Sequence, residues 1–249
     1  MSTPAALLVL TAGVLILAGW LAIRASGAHV SMARRLGGAA QLRVGEVLDA
    51  VAADRLPLRP VRVAGRIRCS DPLRFDADAR LVAYHRDVEV QLPDGRWQTI
   101  ERVRETRSFE LWDHDGSLRL DPAQAAEPLV VIPGRWQGRA DELGPEYAAA
   151  LQRITAEHGA PGASRATTRT LSVVERLLVL AEVGRSADGS AALIPPTGGF
   201  VVTGLELDEA MRLLGGPRRR WLIAGSAAML VGIVAATVGI AVLLGTMVN

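Results

Sequence analysis

The 249-residue sequence predicts an α+β fold, a mostly antiparallel β-meander or small barrel-like domain with short helices, inserted between two transmembrane helices. Three observations predict it. Residues 5–23 and 221–248 are uncharged apolar runs. At about 1.5 Å of rise per helical residue, each is long enough for a hydrocarbon core roughly 30 Å thick. The polar stretch between them switches from helical spacing of apolar residues to alternation, and tight-turn sequences punctuate it. The chain therefore divides into a first span at 1–24, a soluble domain at 25–220 and a second span at 221–249.

The first run reads as an uncleaved anchor. No basic residue precedes it, it exceeds a usual signal h-region, and Arg24 follows where small residues would mark a cleavage site. Orientation follows from arginine. Arg24, Arg34, Arg35 and Arg43 follow the first span, and Arg212, Arg218, Arg219 and Arg220 precede the second. The positive-inside bias then sets the middle domain in the cytoplasm and both termini outside, a two-pass integral protein of the cell membrane.

All 28 basic residues are arginine, yet the formal net charge is only +2. Without lysine, Schiff-base chemistry, a P-loop and side-chain isopeptide acceptors are excluded. Cys69 is the sole cysteine, so no internal disulfide forms. Four histidines and one thiol give no ligand spacing of a structural zinc site.

Along the domain, Val44, Val47, Leu48 and Val51 recur at helical spacing, and Pro57 and Pro60 close that segment. Val61, Val63, Gly65 and Ile67 then alternate with Arg62, Arg66 and Arg68, a half-buried strand. Residues 81–92 form a second strand, joined through Pro93-Asp94-Gly95-Arg96 to a strand at 97–109. Residues 109–112 and 118–120 make another hairpin around Asp113-His114-Asp115-Gly116. A helix is expected at 145–157, a linker or mobile loop at 159–169, and either a helix followed by a strand or one long strand at 171–183. Short strands at 191–194 and 200–202 precede a helix at 207–214.

This order of parts resembles the GIDE domain, also called the "beside a membrane" domain, of mitochondrial membrane-anchored RING-type ubiquitin ligases and their prokaryotic relatives. The stretch from Val30-Ser31 through Arg43-Val44-Gly45-Glu46 is similar to the one after that family's first span. Val63-Ala64-Gly65-Arg66-Ile67 resembles its opening strand, and Ser108-Phe109-Glu110-Leu111 with His114 and Gly116 its hairpin. Residues 170–183, Leu193-Ile194-Pro195-Pro196 and Leu207-Asp208-Glu209 through Leu214 resemble its later segments. The resemblance covers essentially the whole chain. It implies a membrane-organising role and, in the eukaryotic members, ubiquitin transfer through a RING finger after the second span. A RING needs about eight Cys/His ligands; here Asn249 follows the second span directly and the one Cys lies elsewhere. The expectation is thus a scaffold without ligase activity of its own, the rival being a transferase that borrows a RING subunit. The family's domain faces the mitochondrial intermembrane space, whereas the arginine flanks point to the cytoplasm.

Four clusters carry candidate chemistry. Asp113, His114 and Asp115 could hold a metal or move protons, but successive side chains diverge on an extended chain and Asp-x-Asp-Gly is ordinary turn chemistry, so the reading taken is a turn. Cys69, with no histidine beside it in sequence, is read as packing rather than as a nucleophile. The alternating charges of residues 101–107 are read as a solvated strand face, and no nucleic-acid partner is expected. Arg218, Arg219 and Arg220 at the membrane surface would pair with anionic lipid headgroups, about 1 kcal/mol each. Ala224, Ala228, Gly232 and Ala236 form a four-residue small stripe suited to helix packing, within the chain or in an oligomer. No catalytic residue, metal or cofactor is assigned; the partners expected are anionic lipids and an unidentified protein.

Overall fold

The computed structural model describes residues 3–75, 79–186 and 188–248, and at 3–9, 23–28, 217–222 and 242–248 the backbone alone. The chain divides into two compact units, one built from residues 1–37 and 211–249 and the other from 38–210.

The first unit is a helix pair. Helix α1 spans Thr3–Gly38 and the last helix, introduced below as α4, spans Leu207–Val248 with a break at Gly216. Proline at 217 cannot continue the hydrogen-bond ladder, which accounts for the break. A Cβ on Gly19 would lie 2.5 Å from the Gly225 carbonyl oxygen, and one on Gly232 would lie 3.0 Å from that of Ala12. The helices are therefore antiparallel and meet through small residues: Ala12 and Gly19 on one side, Gly225, Gly232 and Gly239 on the other, all buried. Of the expected four-residue stripe, Gly232 is at the contact, Ala228 and Ala236 are half-buried and Ala224 is exposed. Geometry explains the difference. Four residues overshoot a helical turn by about 40°, whereas seven fall short of two turns by only about 20°, so a heptad repeat keeps facing its neighbour. Residues 223–241 form a helix long and apolar enough to cross a membrane; among the described residues the apolar stretch of α1 is the shorter Leu10–Ala22. The side chains of Arg218, Arg219 and Arg220 lie outside the described residues.

The second unit is mixed α+β. After β1 (Ala40–Leu42), α2 (Val44–Ala52) buries Val44, Val47 and Val51, the helical spacing read above. Its first turn is closed by the Glu46 carboxylate, which accepts the Arg43 amide at 2.7 Å. The strands follow in order: β2 (Val61–Arg68), β3 (Leu73–Arg74), β4 (Arg80–Gln91), β5 (Trp97–Thr106), β6 (Phe109–Asp113) and β7 (Gly116–Leu120). Then come β8 (Gly134–Arg139), α3 (Ala148–His158), β9 (Ala163–Ser172), β10 (Arg176–Arg185), β11 (Ala191–Ile194), β12 (Val201–Thr203) and α4.

Five of these strands close a barrel in the circuit β2-β6-β7-β11-β10 and back to β2. Pairing is antiparallel except between β7 and β11. Counted among themselves in chain order, the barrel strands run first, second, third, fifth, fourth, the arrangement of an OB-type Greek-key barrel. β1 and β12 flank it on β2 and β10. Inside lie Val63, Leu111, Leu118, Leu177, Val179 and Phe200, all essentially inaccessible. Each such side chain stabilises the fold by about 1.5–3 kcal/mol relative to exposure.

A second sheet has β4 at its centre, β3 and β5 along one edge, β9 on the other and β8 beyond β9. Here two expectations fail. The hairpins β4–β5 and β6–β7 do not form one meander, because β6 pairs with β2 and leaves β4 in the other sheet. The expected loop at 159–169 is largely β9, the interior strand between β4 and β8. Its Ser, Thr and Arg side chains hid a strand because sheet pairing buries Ser164 and Ala166 on one face while polar partners meet the other. Residues 171–183 are neither alternative proposed: they are the end of β9, a turn at 173–175 and most of β10. The helix expected from Pro145 begins as a 3₁₀ turn at Pro145–Tyr147 before α3.

Gly65 sits inside the barrel opposite Leu177, where a Cβ would come within 2.8 Å of Leu111 Cγ. Gly65→Val should cost about 1–3 kcal/mol by overpacking. Gly134→Ala, whose Cβ would meet nothing closer than 3.7 Å, should stay within about 0.5 kcal/mol. Urea midpoints of the detergent-solubilised chain measure both, and equal midpoints would refute the barrel contact.

Candidate functional site

The β6–β7 turn brings one ligand atom from each of Asp113, His114 and Asp115 within 4.8 Å of one another, closer than an extended chain would. Turn bonds account for that convergence. The Asp113 carboxylate accepts the Asp115 amide at 2.9 Å, and His114 Nε2 stands 3.1 Å from Asp115 Oδ1. The turn also packs on α2: a Cβ at Gly45 would meet Asp115, and Gly116, at φ +151°, crowds Leu48. All three are solvent-accessible, so the arrangement is a packed hairpin tip.

Cys69 directly follows β2 and is half-buried, its thiol facing the Ser108 carbonyl at 3.6 Å. Among the described residues no imidazole or carboxylate is paired with it to act as an activating base.

On the second sheet, charges that the sequence suggested were solvated prove to be networked. Arg104 donates two bonds to Asp87, at 2.8 and 2.9 Å, and one to Glu127 at 2.7 Å. Arg102 also reaches Asp87, at 3.2 Å, and Arg165 meets Glu89 at 2.8 Å while lying over the Trp97 ring. On the opposite face the Tyr147 hydroxyl donates to Glu101 at 2.7 Å. Burial and that bond push the tyrosine up to about 12. In the middle sits His85, only 6% exposed, with Arg104 and Arg169 opposite it on β5 and β9. Burial first, then the Arg104 charge, lowers its pKa, outweighing Glu127 and Asp87. No sequence signal separated this histidine from the other three, since its neighbours come from strands distant in the chain.

The outer face of the barrel is different. Alternation along β2 buries Val63, Gly65 and Ile67 and exposes Arg66 and Arg68. Shallow adjoining grooves run across β2, β6 and β7, lined by Arg68, Arg119 and Ser108 at one end and by Trp112, Arg66 and Arg176 at the other. The Arg68 guanidinium lies over the Trp112 ring at 4.8 Å. The sequence placed Arg62, Arg66 and Arg68 on the polar side of a half-buried strand; only the closed barrel adds Arg119 from β7 and Arg176 from β10.

No protein-family model, curated protein or solved structure matches the chain.

His85 gives a pH dependence. With its folded pKa lowered from 6.5, the unfolded chain takes up the proton first. Its contribution is therefore absent at neutral pH and becomes a loss of stability as pH falls through 6.5 toward the folded value. Between about pH 7.5 and 5, His85→Gln should flatten the fall in urea midpoint. A fall as steep as in the parent would show that carboxylates alone cause it.

Proposed function

We propose that the chain is a membrane-anchored interaction module, non-enzymatic by itself, that holds a partner at the cytoplasmic face of a cell membrane. The observation that carries the reading is the joining of an apolar helix, Ile223–Ala241, to a barrel domain whose outer face presents exposed charge in grooves. Among the described residues the reactive groups support binding better than turnover: the thiol faces a carbonyl, and the carboxylates nearest a histidine shape a turn. The likeness to GIDE domains agrees with a domain held close to a bilayer. Its two-span topology rests on the arginine flanks and on residues 5–23 acting as the other span.

Topology is testable through Ser70, which is exposed beside half-buried Cys69. With Cys69→Ser and Ser70→Cys combined, a membrane-impermeant maleimide should label broken membranes and leave intact cells unlabelled. Equal labelling of sealed cells would overturn the cytoplasmic placement. Release of the chain by alkaline carbonate would overturn the anchor.

The triplet supplies a second test. Changing Arg218, Arg219 and Arg220 together to Gln removes up to about 3 kcal/mol of headgroup attraction and weakens the positive-inside bias. Mixed topology by the same labelling, or reduced preference for anionic vesicles, is expected. An unchanged result in both would make the triplet incidental.

A further inference from the structure

The barrel's outer face holds arginines that the fold leaves unpaired. Arg176 of β10 stands directly opposite Arg66 of β2, and Arg66 opposite Trp112 of β6. In the next outward-facing row, Arg68 stands opposite Glu110, and Glu110 opposite Arg119. Like charges directly opposite on neighbouring strands destabilise a sheet. Among the described residues no carboxylate comes within 4 Å of Arg66, Arg119 or Arg176, and Arg68 reaches Glu110 only at 3.9 Å. Elsewhere the same domain pairs several arginines closely: Arg96, Arg104 and Arg165 each meet a carboxylate within 2.8 Å. Arg74 and Arg80 on the second sheet face each other in the same way. Arg66 and Arg176 differ in lining a groove together with Trp112, and charge placed against stability at a groove is expected of a functional surface.

We propose that this face binds phosphoryl-bearing anions. Neighbouring strands lie about 4.8 Å apart, so one phosphoryl group can take guanidinium forks from both Arg66 and Arg176, the geometry for which arginine is suited. Rows two residues apart are separated by about 6.7 Å, which sets Arg68 and Arg119 in reach of a second phosphoryl group. Ser70, Ser108 and Ser117 add hydroxyl donors along the grooves. Acidic groups are present too: Glu110 between Arg68 and Arg119, and Asp113 and Asp115 at the hairpin tip. Asp113 accepts a backbone amide, Asp115 faces His114, Glu110 lies 3.9 Å from Arg68 and Asp188 feels the charge of Arg119. Among the described residues this leaves Arg66 and Arg176 as the facing guanidinium pair without a carboxylate within 4 Å. A nucleic acid fits less well, because the aromatics lining these grooves are Trp112, whose ring Arg68 already covers, and Phe109, which is buried, and successive bases need successive exposed platforms. The fold type licenses no ligand by itself; the unpaired charge does. This site names a ligand class for the interaction module and deepens that reading, yet its test is independent of membrane topology.

The test uses the full chain in phosphatidylcholine nanodiscs, titrated with tripolyphosphate by calorimetry and tryptophan fluorescence. Saturable binding is expected, with a fluorescence change that Trp112→Phe abolishes. Arg66→Gln combined with Arg176→Gln should weaken binding at least about tenfold while leaving the urea midpoint unchanged or raised, since a like-charge pair is relieved. Arg153→Gln, on exposed α3, should leave binding unchanged. No saturable binding, or equal loss in the Arg153 variant, would overturn the proposal. Repeating the titration with phosphatidylglycerol in the nanodisc separates the sources: loss of tripolyphosphate binding that depends on Arg66 and Arg176 assigns the face to a lipid headgroup, and retained binding assigns it to a soluble phosphoryl ligand. A thymidine oligonucleotide that binds orders of magnitude tighter than tripolyphosphate, and needs Trp112, would overturn the small-anion reading in favour of nucleic acid. Failure here leaves the labelling outcome for Ser70→Cys untouched.

Discussion

The pairing of β10 with β2, six residues long from Arg176 opposite Arg66 to Ala181 opposite Val61, is the contact on which the soluble domain depends. It joins strands more than a hundred residues apart in sequence, and it turns an open sheet into a closed barrel without a free edge at that seam. β10 also pairs with β11 and β12; both of its faces are covered, at Leu177 and Val179 on one and at Leu178 and Leu180 on the other, so it reads as a nearly continuous apolar run. A strand covered on both faces loses the alternation that would have announced it.

Once the barrel is closed, the rest of the domain follows from two excursions out of it. One leaves after β2 and returns at β6, carrying β4 and β5; the other leaves after β7 and returns at β10, carrying β8, α3 and β9. The excursions pair with each other along β4 and β9 and build the second sheet. The shared core shows the continuity: Val82, Ala83 and Leu171 of that sheet pack with Leu111 and Val179 of the barrel. Val90, Leu92, Ala140 and Ile154 form a smaller cluster that seats α3.

Local features of this architecture were legible in the sequence, and its long-range features were not. Apolar spacing located α2, alternation located β2, and turn chemistry located both hairpins, because each signal lies within a dozen residues. The partner of each strand is a different matter. Nothing local says that β6 turns back to β2 and leaves β4 to β9, and β9 has few apolar side chains, its polar ones being matched by cross-strand partners. Helix packing shows the same limit. The small residues of the last helix admit several stripes, and the one used is chosen by the seven-residue repeat shared with Ala12 and Gly19.

The distribution of arginine shows where stability and recognition separate. With no lysine in the chain, every cationic contact is a planar fork that favours defined partners. On the second sheet several of those forks are satisfied inside the fold: Asp87 alone is approached by Arg102, Arg104 and Arg169, beside the buried His85, whose pKa burial lowers. Such a network holds strands in register, because Asp87 of β4 is met by Arg102 and Arg104 of β5 on one side and by Arg169 of β9 on the other. On the barrel Arg66 and Arg176 face each other, while Arg68 stands 3.9 Å from Glu110 and Arg185 3.3 Å from Asp54. Local charge placement there opposes stability, and burial in the barrel interior offsets it. Where Arg66 and Arg176 face one another beside Trp112 in a groove, that charge is available for a ligand.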